Sequence, residues 1–248
     1  MKLKTKEQIE SMRAGGKILA LILRELVKAA QPGVVTQDLD KLARELLKQN
    51  EVQPSFLGYT GFPSVLCTSV NDEAVHTVPS SYELKDGDVL KLDFGVIYKG
   101  LHTDSAVTII IGKDKSPEKK KLLNVTREAL YAGISEARVG NTVGDIGAAI
   151  QELVEKSGFK ILKELGGHGV GETLHEEPFI PNFGQRNQGE KLQVGMVIAI
   201  EPITAVSTWK IKDGDDGHTF VTHDGSLSAQ FEHTVAITEK GPWVLTEI

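Results

Sequence analysis

Leu39, Leu42, Ala43, Leu46 and Leu47 fall at the i, i+3, i+4, i+7 and i+8 spacing of one helix face, and Ile146, Ala149, Ile150, Leu153 and Val154 repeat that spacing 107 residues later (146 − 39). Gly33, Asp38, Glu45 and Leu46 match Gly140, Asp145, Glu152 and Leu153 at the same offset. A chain written twice in this way is expected to fold as two similar halves. Each half opens with a pair of helices. Thr5-Lys6-Glu7-Gln8 reads as a capping box starting a long helix that Gln31-Pro32-Gly33 ends, and Pro117 to Ala137 is a helical stretch closed by Gly140. Strand signals follow at 65–70, 89–98 and 101–111 in the first half, and at 160–165, 196–200 and 230–237 in the second. Two helices and then antiparallel strands, given twice, predict an α+β fold with approximate two-fold internal symmetry. No Ser/Gly/Pro-rich linker divides the chain. It is therefore read as a single domain, 1–248, with halves of about 1–112 and 113–248.

Composition removes several classes of function. Of 248 residues, 40% are hydrophobic and 25% charged, ordinary for a globular protein and unlike disordered or fibrous chains. Thirty-four acids against 28 bases give a net charge of −6, without the basic excess that a phosphate backbone requires, so DNA is not an expected partner. The N-terminus is charged, and the longest apolar run near it, Ile18 to Leu23, stops at Arg24. Neither a signal peptide nor a membrane span is expected, and the chain is read as cytoplasmic. The single cysteine, Cys67, forms no internal disulfide and fits no thiolate zinc site; by itself it reads as a small buried apolar residue.

The chemistry lies in acids placed where strands should be apolar. Asp93 sits inside Leu90-Lys91-Leu92-Asp93-Phe94-Gly95-Val96-Ile97, and Asp104 lies eleven residues on in the next strand, although Asp is a poor strand former. If Lys99-Gly100 is a two-residue hairpin loop, Tyr98 pairs with Leu101 and Asp93 with Ala106. That register puts Asp93 and Asp104 on one sheet face as diagonal neighbours, roughly 7–8 Å apart. Such a pair is either solvent-facing on an edge hairpin or facing inward around a cation that relieves its repulsion. The second half favours the cation, because Glu201 ends the apolar strand Gly195 to Ile200 and Glu232 interrupts Gln230-Phe231-Glu232-His233-Thr234-Val235. His168, in the glycine-rich Gly166-Gly167-His168-Gly169-Val170-Gly171, is the fifth candidate. It precedes His175-Glu176-Glu177-Pro178 closely enough for two imidazoles to share a cleft. Four carboxylates and one imidazole suit Mn, Fe, Co or Zn. Five side chains fill two coordination spheres only if some carboxylates bridge, as in two-metal hydrolytic sites with ions roughly 3.5–4 Å apart.

The order Asp, Asp, His, Glu, Glu in these surroundings resembles the methionine aminopeptidases of the pita-bread fold, in particular the short bacterial type I form. The resemblance spans nearly the whole chain. Its strongest segments are Leu92-Asp93-Phe94 with His102-Thr103-Asp104, Gly167 to Gly171 running into His175-Glu176-Glu177-Pro178, Gly195-Met196 to Glu201-Pro202, and Ser226 to Thr234. It implies two divalent ions held by Asp93, Asp104, His168, Glu201 and Glu232, with Asp104 and Glu232 bridging. It also implies Glu201 as proton relay, His175 as stabiliser of the developing oxyanion and His76 as a contact to the second residue's backbone. Phe56, Tyr59, Phe62 and Cys67 match the family's apolar pocket for the methionine side chain, and Leu174 precedes His175 where relatives usually carry an aromatic. Phe56 and His218 also depart from common residues, Cys and Trp respectively. Asn71 and Ser228 match positions that bind a monovalent cation in relatives.

The implied activity is removal of the first methionine from nascent polypeptides whose second residue is small, with the ribosome as a place of action and a monomer as the expected form. Pita-bread enzymes that cleave before proline share the five ligands but usually carry an extra N-terminal domain. A pita-bread binding protein that has lost its metals is the other alternative, and the intact ligand set argues against it. His102 is read as either a neighbour supporting Asp104 or merely turn-adjacent, His223 and His233 receive no role, and Lys119-Lys120-Lys121 is a solvated helix face.

Overall fold

The computed structural model describes residues 2–247. Helix α1 (Lys6–Ala29) starts at the expected capping box, with the Gln8 N–H donating to Thr5 Oγ1 at 3.2 Å and the Thr5 N–H donating to Gln8 Oε1 at 2.9 Å. Helix α2 (Thr36–Gln49) follows, then in the second half α3 (Pro117–Glu136), capped by Ser116, and α4 (Val143–Lys156), opened by reciprocal bonds between Thr142 and Asp145. Helices α2 and α4 begin 107 residues apart and end 107 residues apart (143 − 36 and 156 − 49). Their apolar stripes are buried as the spacing predicts: Leu39, Ala43 and Leu47 on α2, Ile146, Ile150 and Val154 on α4. Each helix pair covers its own core. One contains Leu66, Leu90, Leu92, Phe94 and Val96, the other Ile180, Ile198, Ile200, Val235 and Ile237.

Every strand pairing is antiparallel. The strands Val89–Tyr98 and Leu101–Ile110 form one long hairpin whose turn residues, Lys99 and Gly100, have φ of 51° and 76°. Two positive φ values are what a two-residue turn needs to match strand twist, and glycine supplies one at no steric cost. The register runs unbroken from Tyr98↔Leu101 through Asp93↔Ala106 to Val89↔Ile110, as the hairpin reading required. Strands Gln53–Pro54 and Leu66–Val70 flank it. The second half builds a five-stranded sheet in the spatial order Gly241–Val244, His233–Thr238, Val197–Ile200, Gly166–Gly169, Glu176–Pro181.

Hydrogen bonds join the halves at several places, among them the following. Strand Glu73–Val75 pairs with Phe220–Thr222. The Glu232 N–H donates to Ala106 O at 3.0 Å, and Thr234 Oγ1 both accepts from the Asp104 N–H at 2.9 Å and donates to Asp104 O at 2.8 Å. Two expectations need correction: the 230–237 strand is broken at Phe231 and Glu232, and only Lys160 and Ile161 of the 160–165 segment are extended into a sheet. His168, in a segment given no strand by its sequence, lies on the strand Gly166–Gly169. Among the described residues no helix is long and apolar enough to cross a membrane.

Candidate metal centre

Asp93, Asp104, His168, Glu201 and Glu232 line one cavity of about 390 Å³. The hairpin supplies the first two: Asp104 stands opposite Gly95, two residues along from Asp93 on the same face. Glu201 is the residue after the strand Val197–Ile200, and Glu232 occupies the break before His233–Thr238, where His233 pairs with Ile200. His168 reaches them because its strand runs tight against the same layer; a Cβ on Gly167 would collide with the Ala199 carbonyl. Asp104, His168 and Glu232 each bring a donor atom within 4.8 Å of the others, and His168 Nε2 lies 3.7 Å from Glu201 Oε1.

These groups make a poor site for one another and a good one for cations. Asp93 Oδ1, Asp104 Oδ1 and Glu232 Oε1 are buried with no hydrogen-bond partner. Burial raises the pKa of Asp93 to about 7, and that of Asp104, Glu201 and Glu232 well above the usual carboxylate range, with mutual repulsion adding to the rise in the last three. Orphaned carboxylate oxygens of this kind lose a hydrogen bond's worth of solvation unless an ion takes them up. His168 is prepared for the same task. Gly169 O at 2.8 Å can only accept, so Nδ1 carries the hydrogen and the Nε2 lone pair faces the acids. Burial, followed by the nearby His175, lowers its pKa to about 3 and keeps the ring neutral. The donor set fits divalent Mn, Fe, Co or Zn.

The far end of the cavity is apolar. Phe56, Phe62, Cys67 and Leu174 pack as one buried cluster with Tyr59 at its edge, so the residues expected to form a side-chain pocket do stand together. His218 also lines the cavity, its ring edge-on to Phe62 at 5.5 Å. His76 and His175 line the same cavity. The His175 ring lies 4.2 Å from that of His168, and its Nδ1 is 2.8 Å from the Tyr59 hydroxyl. Burial lowers the pKa of His76 to about 4 and depresses that of His175. His102 faces Ser55, with Nδ1 3.1 Å from its hydroxyl, and does not line the cavity.

Sequence reasoning missed one polar residue at the centre of the site. Gln230 Nε2 donates to Glu201 Oε2 at 3.2 Å and Asp93 Oδ2 at 3.4 Å, bridging a carboxylate from each half. Its signal was available, since a glutamine between Ala229 and Phe231 in an apolar run is as anomalous as Glu232. The position near Asn71 and Ser228 where a monovalent cation was expected also receives the end of the Lys91 side chain. Lys91 Nζ takes the oxygens of both residues, donating to Asn71 O at 2.8 Å, Ser228 Oγ at 3.0 Å and Ser228 O at 3.3 Å.

Residues 10–239 match metallopeptidase family M24. Over 246 residues the chain is 45% identical to the methionine aminopeptidase of Clostridium perfringens, covering 99% of this chain and 98% of that one. The crystal structure of methionine aminopeptidase from Thermotoga maritima superposes with a TM-score of 0.97 at 42% identity, over 100% of both chains. The prolidase from Pyrococcus furiosus shares the fold, with a TM-score of 0.79 at 23% identity over 99% of this chain and 65% of that one. The α+β pita-bread fold and its acid-lined cavity define a metallopeptidase. The chain belongs to metallopeptidase family M24.

Proposed function

We propose that the chain is a metal-dependent aminopeptidase that removes the N-terminal methionine from nascent proteins whose second residue is small. The observation carrying this reading is the juxtaposition, in one cavity, of buried unpartnered carboxylates with a compact apolar pocket of methionine's chemical character. Asp93, Asp104, His168, Glu201 and Glu232 would hold two divalent ions, Co, Mn, Fe or Zn. When bound, such ions acidify an attacking water and polarise the scissile carbonyl.

The chain's own residues do the rest. Phe56, Phe62, Cys67 and Leu174 enclose the methionine side chain and exclude water from it. Glu201, held at Oε2 by the Gln230 amide, accepts the proton of the attacking water and passes it to the leaving nitrogen. With the Tyr59 hydroxyl, 2.8 Å away, as donor to His175 Nδ1, the ring would carry its hydrogen on Nε2 to serve the carbonyl oxygen as it gains charge. His76, kept neutral by burial, positions the backbone of the second residue. The chain acts as one domain of two duplicated halves, about 1–112 and 113–248. The matched limits of α2 and α4 and the contacts joining Asp104, Ala106 and Asn71 to the second half support that reading. Nascent-chain N-termini at the ribosome, a cytoplasmic location and a monomeric state complete the proposal.

The test is peptide turnover after chelation and reloading with each divalent ion. Release of methionine from Met-Ala-initiated peptides, with Met-Pro and Xaa-Pro substrates left intact, is the expected result. Preferential cleavage before proline would replace this reading with the proline-specific one. No release with any ion would leave only a binding protein.

A further inference from the structure

We propose that Lys91 is a built-in monovalent cation, whose ammonium clamps Asn71 to Ser228 across the two halves, so that the acid centre one rung away is positioned without any monovalent ion from solution. Lys91 is wholly buried, at 0% exposure, a rare state for lysine unless a partner compensates. Its Nζ lies within hydrogen-bond distance of three oxygens, Asn71 O, Ser228 Oγ and Ser228 O, as many as an ammonium has hydrogens, and no carboxylate is among them. A cage of carbonyl and hydroxyl oxygens is the environment alkali ions select, and an ammonium satisfies it with directed hydrogen bonds instead.

Geometry ties this cage to the site. Lys91 and Asp93 alternate onto one face of the strand Val89–Tyr98, and Ser228 and Gln230 onto one face of the strand Ser228–Gln230. Lys91 reaches Ser228 and, one rung on, Gln230 reaches Asp93, so two successive polar rungs join the same two strands across the halves. Asn71 is held from both sides as well. Its carbonyl accepts from Lys91 Nζ, from the Ser228 N–H at 3.1 Å and from Ser228 Oγ at 3.1 Å, in a residue whose φ is 55°. Loss of the charge would leave those oxygens facing one another, and the Ser228–Gln230 strand, with the Gln230 amide that orients Asp93 and Glu201, would lose its anchor. Lys91 is thus a positioning residue.

The experiment compares the full chain and its Lys91→Ala and Lys91→Met variants at equal ionic strength in KCl, NaCl or N-methyl-D-glucamine chloride. Methionine release by the metal-loaded protein and the thermal midpoint of the metal-free protein are both measured. The natural chain is expected to give the same rate, within about twofold, and the same midpoint in all three salts. Lys91→Ala is expected to lose at least tenfold in rate and several degrees in midpoint in N-methyl-D-glucamine, and to recover both saturably with KCl. Lys91→Met, which fills the space, is expected to lose as much and recover nothing. A saturable response of the natural chain to K⁺ or Na⁺ would overturn the proposal even if neither variant folds. So would Lys91→Met matching the natural chain, or Lys91→Ala failing to respond to K⁺. The activity arm presupposes the aminopeptidase reading and the melting arm does not, so failure of one is told from failure of the other.

Discussion

The two halves bring their donors to the cavity by different physical means. Residues 2–112 place Asp93 and Asp104 on a single hairpin, where a two-residue turn and strict strand alternation fix the relative position of both. Residues 113–247 place His168, Glu201 and Glu232 on or beside three separate short strands, which meet only through pairing with partners far away in sequence. The contrast explains why the glycines matter so unequally: Gly100 serves only the turn it sits in, whereas Gly167 lets a whole strand approach Ala199. Local rules carry the first pair of donors, and packing carries the other three.

The most damaging change should be the one that removes an acid shared by both halves' chemistry. Asp104→Asn is expected to reduce methionine release to background while raising the thermal midpoint of the metal-free protein at pH 7, because a neutral amide removes one member of a repelling buried cluster. Peptide turnover and scanning calorimetry read the two effects, and an unchanged rate would exclude Asp104 from the site. Next in size is Gln230→Leu. It deletes the bridge between Asp93 and Glu201 and should weaken metal affinity or activity by roughly 10–100-fold, as losses of groups that orient metal ligands do. Retention of full metal affinity and rate would show that the two carboxylates hold their places unaided.

The smallest pair of changes sharpens the contrast between the halves directly. Gly167→Ala should cost about 1–3 kcal/mol by forcing a methyl group into the Ala199 carbonyl, and should also lower metal affinity by shifting His168. Gly100→Ala, at φ of 76°, should cost about 1 kcal/mol with no change in metal affinity. Chemical denaturation with parallel metal titration measures both. Equal effects on affinity would erase the distinction between local and long-range placement.

The same distinction decides what could be read from the sequence. Helix limits were legible because their signals are adjacent residues: the Thr5–Gln8 box and the stripes of α2 and α4 act within a few positions. The hairpin was legible from Lys99-Gly100 and from alternation, and the side-chain pocket residues, taken from a family resemblance, do cluster. The strand character of His168, the break at Glu232 and the pairing of 73–75 with 220–222 were not legible, since each depends on a partner more than ten residues away. Lys91 was passed over for the same reason. Its position among Leu90 and Leu92 was as anomalous as that of Asp93, but the oxygens that explain it come from Asn71 and Ser228.

Proton counting during metal binding tests the central claim, that buried carboxylates from both halves are tolerated because cations neutralise them. Without metal, Asp93 titrates at about 7 against an ordinary 3.8, and Asp104, Glu201 and Glu232 are shifted the same way. The folded chain therefore holds protons that the unfolded chain has released. The stability these acids contribute to the metal-free protein is therefore lost as pH rises from near 4 through 7, while the depressed pKa values of His76 and His168 act in the opposite direction. Calorimetric titration of the metal-free protein with Mn²⁺ at pH 6.5, in two buffers of different ionisation enthalpy, is expected to show net proton release that vanishes in Asp104→Asn together with tight binding. Tight binding with no proton release would contradict the account, because the acids would then already be ionised and at ease without their ions.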